Sequence, residues 1–218
     1  MARRARQSQS RKHDAAGVLA SPYIKRILPF FDVLDEEKVT ILEAQVDWII
    51  QDVGIAFRDD PVALNLWRDE GAAIDGDIVR APADWIRSLC AKAPRVFTQL
   101  ARNPERSVTI GGNSQVFAPI YGAPFVRDLQ GGRRYGDIAT FRDLVRLTYM
   151  LPSLHHGGFV TCEPCDVPVN KRHLDMLLAH MTLSDKPHLG AITEMSRAED
   201  SVAMAEILFG KDVMDANC

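Results

Sequence analysis

No stretch of this chain is apolar over the roughly 20 residues that a membrane span requires, so a transmembrane helix is not expected. Cysteine is scarce: Cys90, Cys162, Cys165 and Cys218 are the four in 218 residues. They are too few and too scattered for a disulfide framework, which makes a reducing, cytoplasmic setting the expectation. Net charge is small as well. A net charge of −3 argues against a general nucleic-acid or membrane binder. No Gly-x-Gly-x-x-Gly follows a predicted strand and no Walker-type loop occurs, which weakens a nucleotide-binding reading.

The charge that is present is unevenly placed. Arg3, Arg4, Arg6, Arg11 and Lys12 face only Asp14 in the first 14 residues, and the remainder holds 21 basic and 28 acidic residues. The leader is Arg- and Ser-rich, as transit peptides are, and contains an Arg-Arg pair. No apolar core follows it, so it does not read as a secretory signal. Residues 1–20 are expected to be a disordered basic leader.

Hydrophobic residues make up 46% of the chain, enough for a sizeable buried core. A helix is expected from Asp35 to Val53, because Val39, Leu42, Val46, Ile49 and Val53 recur at steps of three and four. Asp35 is its cap and Gly54 follows its end. A second helix opens at Pro61 behind Asp60 and presents Val62, Leu66 and Trp67 on one face. Ile74 to Val79, centred on Asp75-Gly76, reads as a tight hairpin. A third helix is expected over Pro82–Ala91 with Trp85, Ile86 and Leu89 inward. Short strands are expected at Arg95–Leu100, Val108–Ile110, Gln115–Ile120 and Pro124–Leu129. Gly111-Gly112 reads as a turn and not as a phosphate cradle, because no helix opens after it.

The texture then changes to alternating strand and helix. A helix at Thr140–Leu151 places Phe141, Leu144, Val145 and Leu151 on one side. A strand at Gly158–Thr161 is followed by a helix at Pro168–Met181 burying Leu174, Leu177, Leu178 and Met181. His173 and His180, seven apart on it, are expected to be exposed or at the core edge. A strand at Pro187–Ile192 precedes a helix opened by Ser196 and Glu199 at capping-box spacing, carrying Val202, Ala205 and Phe209. The strand starts are about 30 residues apart, which suits βαβ units and a parallel sheet. An eight-unit barrel of ~250 residues spends a similar length per unit; a doubly wound open sheet is the alternative.

A resemblance sharpens this. Val116-Phe117-Ala118-Pro119, Gly122 to Leu129, Gly131-Gly132-Arg133-Arg134-Tyr135 and Ala139 to Leu144 form a distinctive string. Upstream stand Asp60-Pro61, Asp75 to Arg80, Ala93-Pro94 and Asn103 to Arg106, and downstream Lys186-Pro187-His188-Leu189-Gly190. Together they resemble the trimethylamine methyltransferase (MttB-like) family of corrinoid-dependent enzymes. The resemblance implies an α/β fold in which residues 21–114 are a mainly helical N-terminal elaboration and 115–218 the first part of a TIM (β/α)8 barrel. That barrel would be incomplete in this chain, lacking five or six of its eight units. It also implies transfer of a methyl group from trimethylamine, or a quaternary amine such as glycine betaine, to a corrinoid (cobalamin) carried on a separate partner protein and not bound directly. The 218-residue chain alone is expected to be inactive, and a homo-oligomer is the expected assembly. The rival is a non-catalytic small-molecule-binding or interaction module derived from the barrel.

A held methylammonium wants aromatic faces and carboxylates, and barrel chemistry sits at the C-terminal ends of strands. The substrate-binding candidates are therefore Asp128, Tyr121, Glu163 and Glu194, with Asp128 first. Each has a plainer reading: Asp128 as a turn cap before Gln130-Gly131-Gly132, Tyr121 as a packed turn residue, and the two glutamates as solvated loop acids. Cys162-Glu163-Pro164-Cys165, with His155 and His156 nearby, has the spacing of half a zinc site, but one such pair is a poor signature and no metal is expected.

Overall fold

The computed structural model describes residues 22–217, so the basic leader expected at 1–20 lies outside the described residues. In chain order the elements are β1 (Ile24–Lys25), α1 (Glu36–Trp48) running into a π-helical turn (Ile49–Val53), β2 (Ile55–Ala56), α2 (Pro61–Asp69), β3 (Ala73–Asp75), β4 (Ile78–Arg80), α3 (Trp85–Cys90) and β5 (Val96–Gln99). There follow a 3-10 turn (Pro104–Arg106), β6 (Val108–Gly111), β7 (Ser114–Gln115), β8 (Phe125–Asp128), β9 (Gly132–Tyr135), α4 (Ile138–Met150), α5 (Val169–Leu183), α6 (Met195–Phe209) and α7 (Lys211–Asn217). The fold is mixed α/β, and among the described residues no helix is long and apolar enough to cross a membrane. The chain divides into two compact units, one of residues 27–95 and one of 22–26 with 96–217. A division at 114/115 would fall inside β7.

In the 27–95 unit, Asp35 caps α1 by accepting from the Lys38 N–H, and Asp60 caps α2 by accepting from the Ala63 N–H behind Pro61. Both caps satisfy amides that a helix start leaves without partners. The apolar stripe expected on α1 forms, but Val39, Leu42, Val46, Ile49 and Val53 all stay largely open to solvent. Strands β2, β4 and β3 make an antiparallel sheet in that order, with the Asp75-Gly76 hairpin as expected. Gly54 ends the π turn at φ 82°; a Cβ there would meet Ile78 Cγ2 at 2.6 Å and Val79 O at 2.8 Å. Trp67 packs between Phe57 and Trp85, each ring centroid 5.6 Å away.

In the other unit, β1, β7, β6 and β5 form one antiparallel sheet, and β8 and β9 a separate hairpin. The strands Gly158–Thr161 and Pro187–Ile192 expected from the sequence are irregular segments without ladders, the first bending at Phe159 and Thr161 behind Gly158 at φ 84°. They are held by single backbone bonds: His155 N–H to Phe117 O (2.9 Å), Gly122 N–H to Val160 O (2.8 Å), Glu163 N–H to Ala123 O (2.9 Å), Gly157 N–H to Pro187 O (2.8 Å) and Leu189 N–H to Gly158 O (3.0 Å). Pairing rises in both partners together, so the segments 117–123, 156–163 and 187–189 run parallel. Pro119 and Pro187 lack the N–H a ladder needs, which interrupts it. Helices α4, α5 and α6 follow the three segments in turn.

The core lies between this layer and its helices. Phe141, Val145, Val160, Cys162, Met176 and Ala179 form its buried centre, with Val126, Ile138, Leu144 and Phe159 packed on its edge. Leu177 and Met181 are buried as expected, whereas Leu178 is 46% exposed. The capping box expected at Ser196 and Glu199 does not form: α6 starts at Met195, so its cap is Glu194, two residues earlier, with no side-chain capping bond.

Candidate functional site

The residues singled out from the sequence fall on the ends of successive segments. Tyr121 closes the first and is 65% exposed. Its ring meets Phe159 of the second segment nearly edge-on, at 5.7 Å and 79°. Glu163 ends the second segment beside Ala123, through the backbone bond already described. Its Oε2 accepts from Arg172 Nη1 at 3.1 Å. Arg172, in the first turn of α5, also donates from Nε and Nη2 to Val167 O at 3.2 and 3.0 Å. One guanidinium thus fixes both the loop and one carboxylate oxygen, leaving the other oxygen of Glu163 outside that pair. Next to it, the Thr161 hydroxyl is buried without a hydrogen-bond partner.

Asp128 and Glu194 stand apart from that pair. Asp128 accepts from the Gln130 N–H at 3.0 Å and from the Gly131 N–H, and pairs with Arg134 at 3.3 Å across the hairpin. It holds a turn. Glu194 is 59% exposed in its side chain and pairs with Arg197 at 3.0 Å.

Cys162 is fully buried in the core, while Cys165 is exposed, and both are free thiols. Burial pushes the Cys162 thiol up to about 11, with the nearby acids Asp137 and Glu163 acting the same way. A thiol held in that state is neither a ready nucleophile nor a ready ligand. Among the described residues, no group of three or more His, Cys, Asp or Glu could hold a metal ion.

His173 and His180, expected to be exposed or at the core edge, are buried, 4% and 1% exposed, and His180 packs on the core residue Phe141. His173 Nε2 lies 2.8 Å from Asp200, and His180 Nε2 donates to Phe159 O at 3.0 Å. Both sit on the inward face of α5 because residues seven apart fall on one side of a helix. His156 Nδ1 accepts from the Gly158 N–H at 2.8 Å, and its Nε2 meets Gln99 Oε1 at 3.1 Å. Burial holds His156 and His188 down at about 4 and lowers His180 as well. These are neutral imidazoles that tie the extended layer to its neighbours.

Lys186, from the Lys-Pro-His-Leu-Gly string, was not singled out for any role. It is 5% exposed. Its ammonium donates to Thr148 O (2.8 Å), Leu151 O (2.9 Å) and Leu154 O (2.7 Å). Two of those carbonyls belong to the C-terminal end of α4, where helix carbonyls lack partners and the dipole favours a cation. Burial brings the ammonium down to about 8, with Arg106 adding to the effect and Asp185 opposing it. A single Lys before Pro187 is a weak signal in the sequence, and only the fold shows what it reaches. A cavity of about 330 Å³ lies beside it, lined by Gln99, Leu177, Lys186, His188, Ser201 and Phe209 among others. It is separate from Tyr121 and Glu163.

The model of the trimethylamine methyltransferase (MTTB) family matches residues 1–218. A glycine betaine methyltransferase of Desulfitobacterium hafniense (strain Y51) is 38% identical over 190 residues, 87% of this chain and 40% of that protein. The chain thus spans about 40% of the length of that curated relative. The family string expected around residues 115–154 and the match along the chain agree, and the chain belongs to the trimethylamine methyltransferase family.

Proposed function

We propose that this chain serves an enzyme that moves a methyl group from a methylated amine to a corrinoid held on a separate carrier protein. We further propose that its parallel segments and helices from residue 115 onward are the first units of a (β/α)8 barrel. Family membership and the glycine betaine methyltransferase relative support the methyl-transfer class. Three parallel segments, each followed by a helix, support the architecture.

The observation that carries the substrate reading is the aromatic corner of Tyr121 and Phe159, with Glu163 at the end of the segment that carries Phe159. Tyr121 and Glu163 lie toward the downstream ends of adjacent parallel segments, and Phe159 near the middle of the second. Aromatic faces attract methylated ammonium groups through the ring quadrupole, and Glu163 adds a negative charge tempered by Arg172. That tempering matters chemically. As the methyl group leaves, the nitrogen keeps the bonding electron pair and loses its positive charge. A bare carboxylate would hold the cationic ground state more tightly than the transition state and slow the reaction. The corrinoid supplies the nucleophile that accepts the methyl group. Tyr121 and Glu163 are the residues assigned to the amine end, with Asp128 shaping the hairpin between the first segment and α4 and Glu194 held by Arg197 outside it.

Calorimetric titration with glycine betaine and with unmethylated glycine tests the reading. The expected result is binding that requires the methyl groups and is weakened roughly tenfold or more by Tyr121→Ala. Equal affinity for both compounds, or no binding of either, overturns it.

A further inference from the structure

We infer that the outward face of the β8–β9 hairpin is a docking face for an acidic surface of the carrier protein. The inference rests on the methyl-transfer reading above for the identity of that partner, and on the hairpin itself for the chemistry. In the antiparallel register Phe125 lies opposite Tyr135 and Arg127 opposite Arg133, while Val126 lies opposite Arg134 and Asp128 opposite Gly132. Residues directly opposite share a face, and alternate residues along a strand take opposite faces. Val126 packs on the core, so its face is turned inward. The other face carries Phe125, Arg127, Arg133 and Tyr135 outward.

That outward face is costly to the fold as it stands. Like charges directly opposite each other destabilise a strand pair. Among the described residues neither Arg127 nor Arg133 has a carboxylate partner, although Arg134 on the opposite face does. Arg127 and Arg133 are both exposed, and Tyr135 is 64% exposed. The Arg133 guanidinium stacks on the Phe125 ring at 3.8 Å from its centroid, which fixes it in place. Leu129, at the turn, is completely exposed. Arginine and tyrosine around an exposed apolar tip are the residue types that dominate protein interfaces. Two positive charges with no acid beside them call for a partner that brings carboxylates. A nucleic acid fits less well, since the whole chain carries a net charge of −3 and such binders present an extended basic surface.

Position supports the carrier as that partner. The hairpin is the connection from the first parallel segment to α4, and so leaves the layer at the end where Tyr121 and Glu163 sit. Its base is tied there by Gly136 N–H to Pro124 O (3.0 Å) and Cys165 N–H to Gly136 O (2.9 Å). A carrier delivering its corrinoid to that end meets this hairpin.

The test is calorimetry of the protein with a cobalamin-loaded corrinoid carrier protein at low and high salt. The double variant Arg127→Glu/Arg133→Glu is expected to weaken carrier binding by roughly 30-fold or more and flatten its salt dependence. Arg127→Lys/Arg133→Lys should stay within about fivefold, because the charge is kept. Glycine betaine affinity should be unchanged in both. If the reversed variant loses its cooperative thermal transition, Arg127→Gln and Arg133→Gln singly give the same reading. Unchanged carrier affinity, no carrier binding by the unaltered protein, or tighter binding of a single-stranded oligonucleotide than of the carrier each overturns the inference. Arginine-dependent carrier binding without amine binding would sink the substrate reading and leave the docking face standing.

Discussion

The imidazoles of His180 and His188 lie parallel, with ring centroids 5.3 Å apart and planes within 3°. One ring comes from the inward face of α5 and the other from the third extended segment. Phe141 meets His180 edge-on from α4 at 5.4 Å, so helix and layer are joined through aromatic contact where a regular strand ladder is missing. His156 completes the group through Gln99 of β5.

That arrangement is expected to make the protein acid-sensitive. Burial holds His156 and His188 at about 4, below the unfolded value near 6.5. Between those values the unfolded chain binds more protons than the folded one, so stability falls as pH drops from about 6.5 to about 4. The loss is on the order of 3 kcal/mol for each of the two imidazoles. Urea unfolding at pH 7 and pH 4.5 should show it, and His188→Phe should be less acid-sensitive than the unaltered protein. Equal stability at both pH values would contradict a neutral, buried cluster.

Lys186 should be costly to remove. Lys186→Met leaves Thr148 O, Leu151 O and Leu154 O without their donor in a buried place, at a cost of about 2–4 kcal/mol. Chemical denaturation should show a lower midpoint with the slope unchanged. A midpoint within error of the unaltered protein would mean that water replaces the ammonium at all three carbonyls.

Two glycines allow the backbone of the layer to close up. Gly158 has φ 84°, and a Cβ there would meet Pro119 Cγ at 2.5 Å. Gly136 would set a Cβ 2.5 Å from Glu163 O and 3.0 Å from Cys162 Sγ. Gly158→Ala and Gly136→Ala are each expected to destabilise by about 1–3 kcal/mol. Gly71→Ala, where nothing lies within 4 Å but φ is 96°, separates backbone strain from crowding. Thermal midpoints of the three variants give the comparison.

The cysteines should react in a fixed order. Cys165 and Cys90 are exposed, whereas Cys162 is buried with its thiol raised to about 11. With a thiol reagent at pH 7.5, Cys90 and Cys165 should be modified in the native protein and Cys162 only on unfolding. Mass spectrometry of proteolytic fragments resolves the sites. Modification of Cys162 at the rate of Cys165 would place it outside the core.

The helices were legible in the sequence because their signals are local. Asp35, Asp60-Pro61 and the step of Phe141, Leu144 and Val145 act within a turn or two, through capping and a 3.6-residue period. The Asp75-Gly76 and Gly111-Gly112 turns were legible for the same reason. The family was legible in the strings from Val116 to Leu144, and the comparisons agree with it. Tertiary structure decided what depends on partners distant in the chain. The segments at 158–161 and 187–192 have strand composition, yet their backbone bonding depends on neighbours some 30 residues away and on Pro119 and Pro187 within the layer. The inward turn of His173 and His180 depends on what covers α5. The reach of Lys186 to the end of α4, and the meeting of Tyr121 with Phe159, join residues more than 30 positions apart. Periodicity says which face a residue shares, but only the packed chain says what that face meets.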